Sequence, residues 1–571
     1  MSSEPNKWTV MVYLAGDNNL GEECVFALTE MGKVGSGDGV DVVASLDSGV
    51  HENTEIFIHK VSGSGETGAK LEEARLKRLK AVRQAEELAG RSLQDDGLTY
   101  FDVIFRFVER SIREHPAQHY MLVLSGHGSG IVGNFLNKEE ADRIDSLSVI
   151  SMAQLIGKIQ TTLLGKEQKI DILGMDSCLM SMTEVAYVVH NFATVMIGAE
   201  GFEPLAGWPY ASVLKAVREL AKSKADGGAD ADVKELSKRI VCEYIRYYQD
   251  YQAAGVSVDQ AALDLVESVT LMWAVNSLAQ VLLSYLPRNP QTQKIEADPE
   301  VRNALVLAHW EAQPYKQEQY TDLYDFCERL KFYCPGKEDV RRACQNVMNA
   351  IRGSASEGAA AREADGNFQH ERGPLGSTKT SDFRNTKGFV LKSCYSGLTV
   401  QYSFGVSIYF PWAEKSADLE RYQELFFARD SRWAEFLKAY LAATKRAVRK
   451  GRGKDPLGSF DDKFLLDLLP VTANDAFNFP NNRNGTTSKN GTTSKNGTTS
   501  KAIENVIGSM RNPPTEFDDC ICDVAAAGNG AGPAPADVPR GQAVARAAYR
   551  GRTKSSGAGK KAKAKTKRAR K

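Results

Sequence analysis

Two residues of the 571-residue chain combine reactive chemistry with a favourable local setting. The run MLVLSGHGSG carries His127 between glycines, and the run IDILGMDSCLMS carries Cys178 just beyond Asp176 and Ser177. A cysteine attacks a carbonyl as its thiolate, and a nearby imidazole supplies first the base and then the acid. Taken singly, each residue reads as structural, because free cysteines are among the most buried residue types and a lone histidine in a glycine-rich loop commonly only packs. Placed together, each after an apolar run, they read as nucleophile and base. The N–H groups of Gly128 and Cys178 are then the natural pair to hold an oxyanion, since glycine lets the backbone approach a substrate closely. Cys178 is also expected at or just before a helix N-terminus, where the backbone dipole favours a thiolate.

The elements that must position this pair follow from periodicity. Short β-rich runs are expected over residues 8–15, 40–46, 55–60, 120–125, 169–175 and 194–199. Several are apolar on both sides of the alternation, as strands are when helices cover both sheet faces. Helical stretches fall between them, over residues 20–31, 69–88, 97–114, 151–164 and 180–191. Strand alternating with helix predicts an α/β fold with a mostly parallel sheet flanked by helices. Ligands of such sheets bind outside the carboxyl ends of the strands, where both His127 and Cys178 are expected.

Residues 1–215 are expected to form this α/β core and residues 216–450 a mainly helical region with one late strand, GVSIYFPW, at 405–412. Residues 353–385, rich in Gly, Ser and charge, read as a long exposed loop. Residues 451–571 read as a disordered linker, holding three copies of NGTTSK with nothing to bury and a basic tail at 560–571, from Lys560 to Lys571. The tail offers a contact for nucleic acid or another polyanion, or simply solvates the chain. It lacks the interleaved aromatics of a stacking platform.

Composition narrows the class further. Lys plus Arg and Asp plus Glu number 72 each, so global charge points neither to nucleic acid nor to an acidic partner. The nine cysteines lack the even spacing of a disulfide scaffold, which fits a reducing compartment. With no leader-like start and no apolar run of the length a membrane helix needs, the sequence reads as cytoplasmic and without a membrane partner. Neither the histidines nor the cysteines show metal-ligand spacing, and no cofactor is required by the sequence. In AGDNNL, Asp17, Asn18 and Asn19 follow a strand and precede a helix, which capping and turn formation explain.

WTVMVYLAGDNNL, SGHGSG, DSLSVISMAQLIGKI, DILGMDSCLMSMTEVAYVV and EPLAGWPY, in this order, resemble the clostripain family of cysteine peptidases. That family groups with caspases, gingipains, legumain and separase. The resemblance continues through YTDLYDFCERL, GVSIYFPW and RWAEFLKAYLAA, over roughly the first 450 residues. It implies a caspase-like core with His127 and Cys178 as the catalytic dyad of an endopeptidase. Asp176 matches an aspartate of the family's pocket for the side chain preceding the scissile bond, which implies cleavage after Arg or Lys. Residues two apart in a strand point the same way, so a carboxylate at Asp176 fits beside the cleft. Alternatively it caps the following helix.

The chain departs from the family where relatives often carry Gly-Asp-Gly-Trp: here the run is Leu205, Ala206, Gly207 and Trp208. Losing that carboxylate weakens recognition of a basic group by about 1–3 kcal/mol. Glu200 and Glu203 precede the run and either compensate or form an exposed acidic loop. The resemblance also implies self-cleavage between His and Cys, for which Lys138 and Arg143 in the polar stretch NFLNKEEADRIDS are the accessible sites. It implies a calcium response as well, although the acidic groups there lack EF-hand spacing. Protein or peptide substrates are the expected partners. The competing reading from another class is a catalytically silent scaffold on the same fold, with the basic tail making its contacts.

Overall fold

The computed structural model describes residues 6–16, 18, 20–47, 56–60, 99–132, 147–165, 167–222, 229–249, 256–315, 319–353, 388–412 and 417–444. All of them lie in one unit, Met1–Ile521. Lys138, Arg143, the expected helix at 69–88, the NGTTSK repeats and residues 560–571 lie outside the described residues.

The expected strands of the first half are present as β1 (Asn6–Ala15), β2 (Val40–Asp47), β3 (Ile56–Lys60), β4 (Ala117–Ser125), β5 (Ile170–Asp176) and β6 (Ala193–Gly198). With β7 (Val258–Asp264) and β10 (Val390–Ser396) they form an eight-stranded sheet in the order β10-β7-β6-β5-β4-β1-β2-β3. Strands β2, β1, β4, β5 and β6 run parallel to their neighbours within that series. The chain steps outward from β1 to β2, then returns to β1's other side with β4. That reversal opens a crevice at the carboxyl ends of β1 and β4.

Two strands come from beyond residue 215: β7 (Val258–Asp264) and β10 (Val390–Ser396), both antiparallel, extend the sheet past β6. The sheet therefore crosses the expected boundary between residues 215 and 216. A polar sequence hides these strands. Asp259 and Gln260 of β7 are buried, and they tolerate burial because their partners lie on the β6 side, nearly 60 residues earlier. The late strand is shorter than expected, β11 (Ser407–Tyr409), and pairs with β9 (Tyr320–Asp322), which also pairs with β8 (Pro314–Tyr315).

Strand alternation separates two cores. Val10, Val12 and Leu14 face one layer, built on α1 (Gly21–Gly32), α5 (Tyr210–Lys222) and α6 (Ala229–Tyr248). Met11, Tyr13 and Ala15 face the other. There α2 (Tyr100–Glu114), α3 (Val149–Ile159) and α4 (Thr183–Val189) join the later helices α7 (Ser268–Ser284), α8 (Pro299–Glu311), α9 (Leu323–Tyr333) and α10 (Glu338–Arg352). Short α11 (Leu419–Tyr422) and α12 (Phe426–Asp430) lead into α13 (Trp433–Thr444) in the same layer. Helix α7 with the preceding turn, Leu265–Ser284, is long and apolar enough by composition to cross a membrane, but half of that window is buried in this core. Its Leu271, Val275, Leu278 and Leu282 are fully buried.

Candidate active site

Strands β4 and β5 end side by side, with Ser125 opposite Asp176 and the Gly126 N–H donating to the Asp176 carbonyl at 3.1 Å. The residues that follow, His127 and Cys178, line one cleft together with Asp176, Glu203 and Ala206. Leu20, Glu23 and Cys24, from the start of α1, close its other side around a cavity of about 70 Å³. The two residues singled out from the sequence thus line one crevice. Sequence reasoning missed the contribution of α1, which is visible only once β1 is known to lie next to β4.

Gly128 packs against the backbone of Cys178: a Cβ there would lie 2.3 Å from the Cys178 carbonyl oxygen and 3.1 Å from its nitrogen. No side chain fits, so glycine allows the two strand-end turns to meet.

The helix after Cys178 starts later than expected, at Thr183. Leu179 N–H donates to the Gly201 carbonyl at 2.9 Å, Ser181 N–H to the Ala199 carbonyl at 2.8 Å, and Met182 bridges to Ser407 of β11. These partners hold residues 179–182 off the helical path and deny Cys178 the helix dipole. Leu179 has φ of 63°, a conformation costing a branched residue about 1–2 kcal/mol. Strain immediately after a reactive residue is a mark of functional turns.

The backbone of Glu203 takes the dipole's place beside the sulfur. Its N–H donates to Cys178 Sγ at 3.2 Å, and its carbonyl lies 3.9 Å from that sulfur as the acceptor for the thiol. In this closed arrangement burial, followed by the negative charge of Glu203, pushes the Cys178 thiol up to about 12.

Asp176 is buried and serves a different helix from the one expected. Its Oδ1 accepts the Trp208 N–H at 3.0 Å and its Oδ2 accepts the Tyr210 hydroxyl at 2.7 Å, so it anchors the entry to α5 and not to α4. Gly207, with φ of 63°, lets this loop close: a Cβ there would stand 2.8 Å from Asp176 Oδ1. Burial raises the Asp176 carboxyl, against the lowering effect of the Tyr210 hydroxyl.

The exposed acidic loop weighed for Glu200 and Glu203 is not what forms. Glu200 is wholly buried, its Oε1 accepting the Gly405 N–H at 2.7 Å. Glu203 is partly buried, its Oε1 accepting from Gln260 Nε2 at 3.2 Å and its Oε2 shielded without a donor. Burial and then the neighbouring Asp176 raise the Glu203 carboxyl well above the usual range. Ala206 lines the cleft as the sequence departure implied.

Asn18 takes the turn role expected of it, with Oδ1 accepting the Leu20 N–H at 2.8 Å; Asp17 and Asn19 lie outside the described residues. His115 and His119 pair with Asp41 and Asp171, and His309 stacks between Phe410 and Trp412. Among the described residues, no group of three or more His, Cys, Asp or Glu is arranged to hold a metal ion. The acidic stretch considered for calcium lies outside them.

Comparison with known proteins agrees with the chemistry of the cleft. A model of the clostripain family matches residues 12–440. Clostripain from Hathewaya histolytica is 20% identical over 376 residues, which is 60% of this chain and 69% of that protein. A secreted C11 cysteine protease from Bacteroides thetaiotaomicron, solved with an irreversible peptide inhibitor, is similar over 76% of this chain and 98% of its own, at 15% identity and a TM-score of 0.41. An inactive zymogen C11 protease from Parabacteroides distasonis is similar over 75% of this chain and 99% of its own, at 17% identity and a TM-score of 0.43. With a family match spanning most of its length, this chain belongs to the clostripain family and is a cysteine-type peptidase acting on protein or peptide substrates.

Proposed function

We propose that the chain is an endopeptidase that cleaves after Arg or Lys through a thioester on Cys178. The observation that carries this reading is the convergence of His127, Cys178 and Asp176 on one cleft at the ends of β4 and β5. In the reaction, His127 takes the thiol proton and the sulfur attacks the scissile carbonyl carbon, forming the C–S bond. The Gly128 and Cys178 N–H groups hold the oxygen that becomes negative. His127 then gives its proton to the departing amine as the C–N bond breaks, and water activated by the same imidazole hydrolyses the thioester. Asp176 supplies negative charge beside the preceding side chain, which favours a guanidinium or ammonium group.

Self-processing at Lys138 or Arg143 belongs to the same proposal. Both sit between the two catalytic strand ends in sequence, and an inactive zymogen is on record for the similar Parabacteroides distasonis protein. The basic stretch 560–571 is proposed as a polyanion contact; salt-dependent binding lost on its deletion tests that point.

The main test is hydrolysis of peptides ending in Arg, Lys, Leu or Asp before a chromogenic group. Turnover confined to Arg and Lys, and abolished by Cys178→Ala, is expected. Unchanged turnover in Cys178→Ala would overturn the proposal.

A further inference from the structure

The stretch from Glu200 to Trp208, which leads from β6 to α5, is fastened at closely spaced points. The N–H groups of Glu200 and Gly201 donate to the two Asp259 carboxyl oxygens at 2.7 and 3.0 Å, and the Gly201 carbonyl accepts the Leu179 N–H at 2.9 Å. Further on, the Glu203 N–H donates to Cys178 Sγ at 3.2 Å and the Gly207 N–H to the Pro204 carbonyl at 2.9 Å. The Gly207 carbonyl accepts the Tyr248 hydroxyl at 2.6 Å, and the Trp208 N–H reaches Asp176 at 3.0 Å. Two large apolar residues, Phe202 and Leu205, lie between these points. They stand in water nonetheless, 61% and 50% exposed. Turning either inward would break the bonds on both sides of it and strand their polar groups.

Singly exposed apolar residues are ordinary on a protein surface, whereas neighbouring ones on the rim of a cleft mark a contact site. Glu203, whose N–H touches the nucleophile, lies between Phe202 and Leu205, and Leu205 itself lines the cleft with Cys178. The apolar surface continues inward along Leu20 and Ala27 of α1 and along Pro204 and Ala206. The carboxyls of Glu23, Asp176 and Glu203 line the same cleft. One opening thus offers an acidic pocket and an apolar rim.

Resting on the endopeptidase reading above, we infer that Phe202 and Leu205 form a second specificity subsite, which takes a large apolar side chain on the substrate residue adjoining the basic one. The occupant is the substrate chain itself, because the apolar surface is continuous with the cleft in which the scissile bond must meet Cys178. Reach agrees with this. Phe202 and Leu205 are one and two residues from Glu203, no more than about 7.6 Å of backbone, and the substrate's neighbouring residue is one step of about 3.8 Å from the attacked one. An apolar side chain there removes both residues from water, while a polar one loses its own hydration for nothing in return.

The experiment measures kcat/KM of the full chain on internally quenched peptides with a single Arg, in which the residue just before or just after it is Leu, Phe or Ser. On one of the two sides Leu or Phe is expected to exceed Ser at least about tenfold. Phe202→Ser combined with Leu205→Ser should bring that ratio to about twofold or less, mainly through KM for the apolar peptide. Phe202→Leu combined with Leu205→Met keeps the apolar surface and should keep the preference. Absence of an apolar preference on both sides, or a preference that survives the double Ser variant, overturns the inference. Equal losses on the apolar and Ser peptides in that variant overturn it too, because they would show the loop acting only to place the sulfur. Peptides with citrulline in place of Arg separate the two proposals: if they are cleaved as fast as the Arg peptides, basic specificity fails, while the ratio of Leu to Ser still decides the apolar subsite.

Discussion

The segment leaving β6 carries two glutamates three residues apart, Glu200 and Glu203, and they end in opposite environments. Glu200 points into the interior, where it meets the Gly405 N–H and contacts Asp322, while its own N–H donates to Asp259 at 2.7 Å. Asp322 in turn accepts the N–H groups of Asp325 and Phe404 at 2.7 and 2.6 Å. These carboxyls staple β6, β7, β9 and the approach to β11. Glu203 and Asp176 lie in the cleft, beside a sulfur and with an acceptor oxygen left over. Burial shifts both sets in the same direction, so the shift alone does not mark a functional group. What separates them is position: Glu200 and Glu203 each keep one shielded oxygen without a donor, but Glu200 lies in the interior under the Gly405 N–H, whereas Glu203 lines the cleft beside Cys178.

That contrast can be broken from either side. The largest effect is expected for His127→Ala, which removes the proposed base: kcat/KM should fall about 10⁴-fold, roughly 5 kcal/mol of transition-state stabilisation, with the melting temperature moved by no more than a few degrees. The interior should respond oppositely. Asp322→Ala strands two buried N–H donors and is expected to cost about 4 kcal/mol of stability in denaturant titration, while the ratio of Arg to citrulline turnover in the remaining folded protein stays the same.

A third prediction concerns pH. Glu184 on α4 is wholly buried, its Oε1 accepting the Tyr409 N–H and the Tyr422 hydroxyl, both at 3.0 Å. Burial raises it from 4.5 to about 7. The folded state then binds more protons than the unfolded state between these values, so stability is greatest below about 4.5 and falls as pH rises towards 7. This one group accounts for a loss on the order of 3 kcal/mol, and Glu184→Gln should flatten the stability profile over that window without altering substrate choice. The smallest effect is expected for Gly207→Ala, where a methyl group must displace the Asp176 carboxyl at a positive φ. A stability loss of about 1–2 kcal/mol should accompany a selective rise in KM for Arg peptides.

The same donor bookkeeping explains how far the sequence could be read. Strands β1, β2, β4, β5 and β6 were legible because parallel strands buried on both faces keep continuous apolar runs. His127 and Cys178 were legible because each closes such a run. Strand β7 was not, since Asp259 and Gln260 look solvent-facing until the N–H groups of Glu200 and Gly201 and the Glu203 carboxyl are known to meet them. Glu203 was misjudged for a related reason. It sits in a Pro and Gly-rich stretch that reads as surface, yet Gly207 folds that stretch down onto Asp176. The delayed start of α4 was equally hidden, because Leu179, Ser181 and Met182 find partners on β6 and β11 that no local pattern records.

Among the described free cysteines Cys178 alone is not buried; Cys24, Cys327, Cys334, Cys344 and Cys394 all are. The most direct measurement therefore treats the full chain with an irreversible peptide label ending in Arg and locates the adduct by mass spectrometry. A single adduct on Cys178, formed at a rate that falls sharply in His127→Ala, is the expected result. An adduct on another residue, or labelling of Cys178 indifferent to His127, would contradict the assignment of these two residues as the catalytic pair.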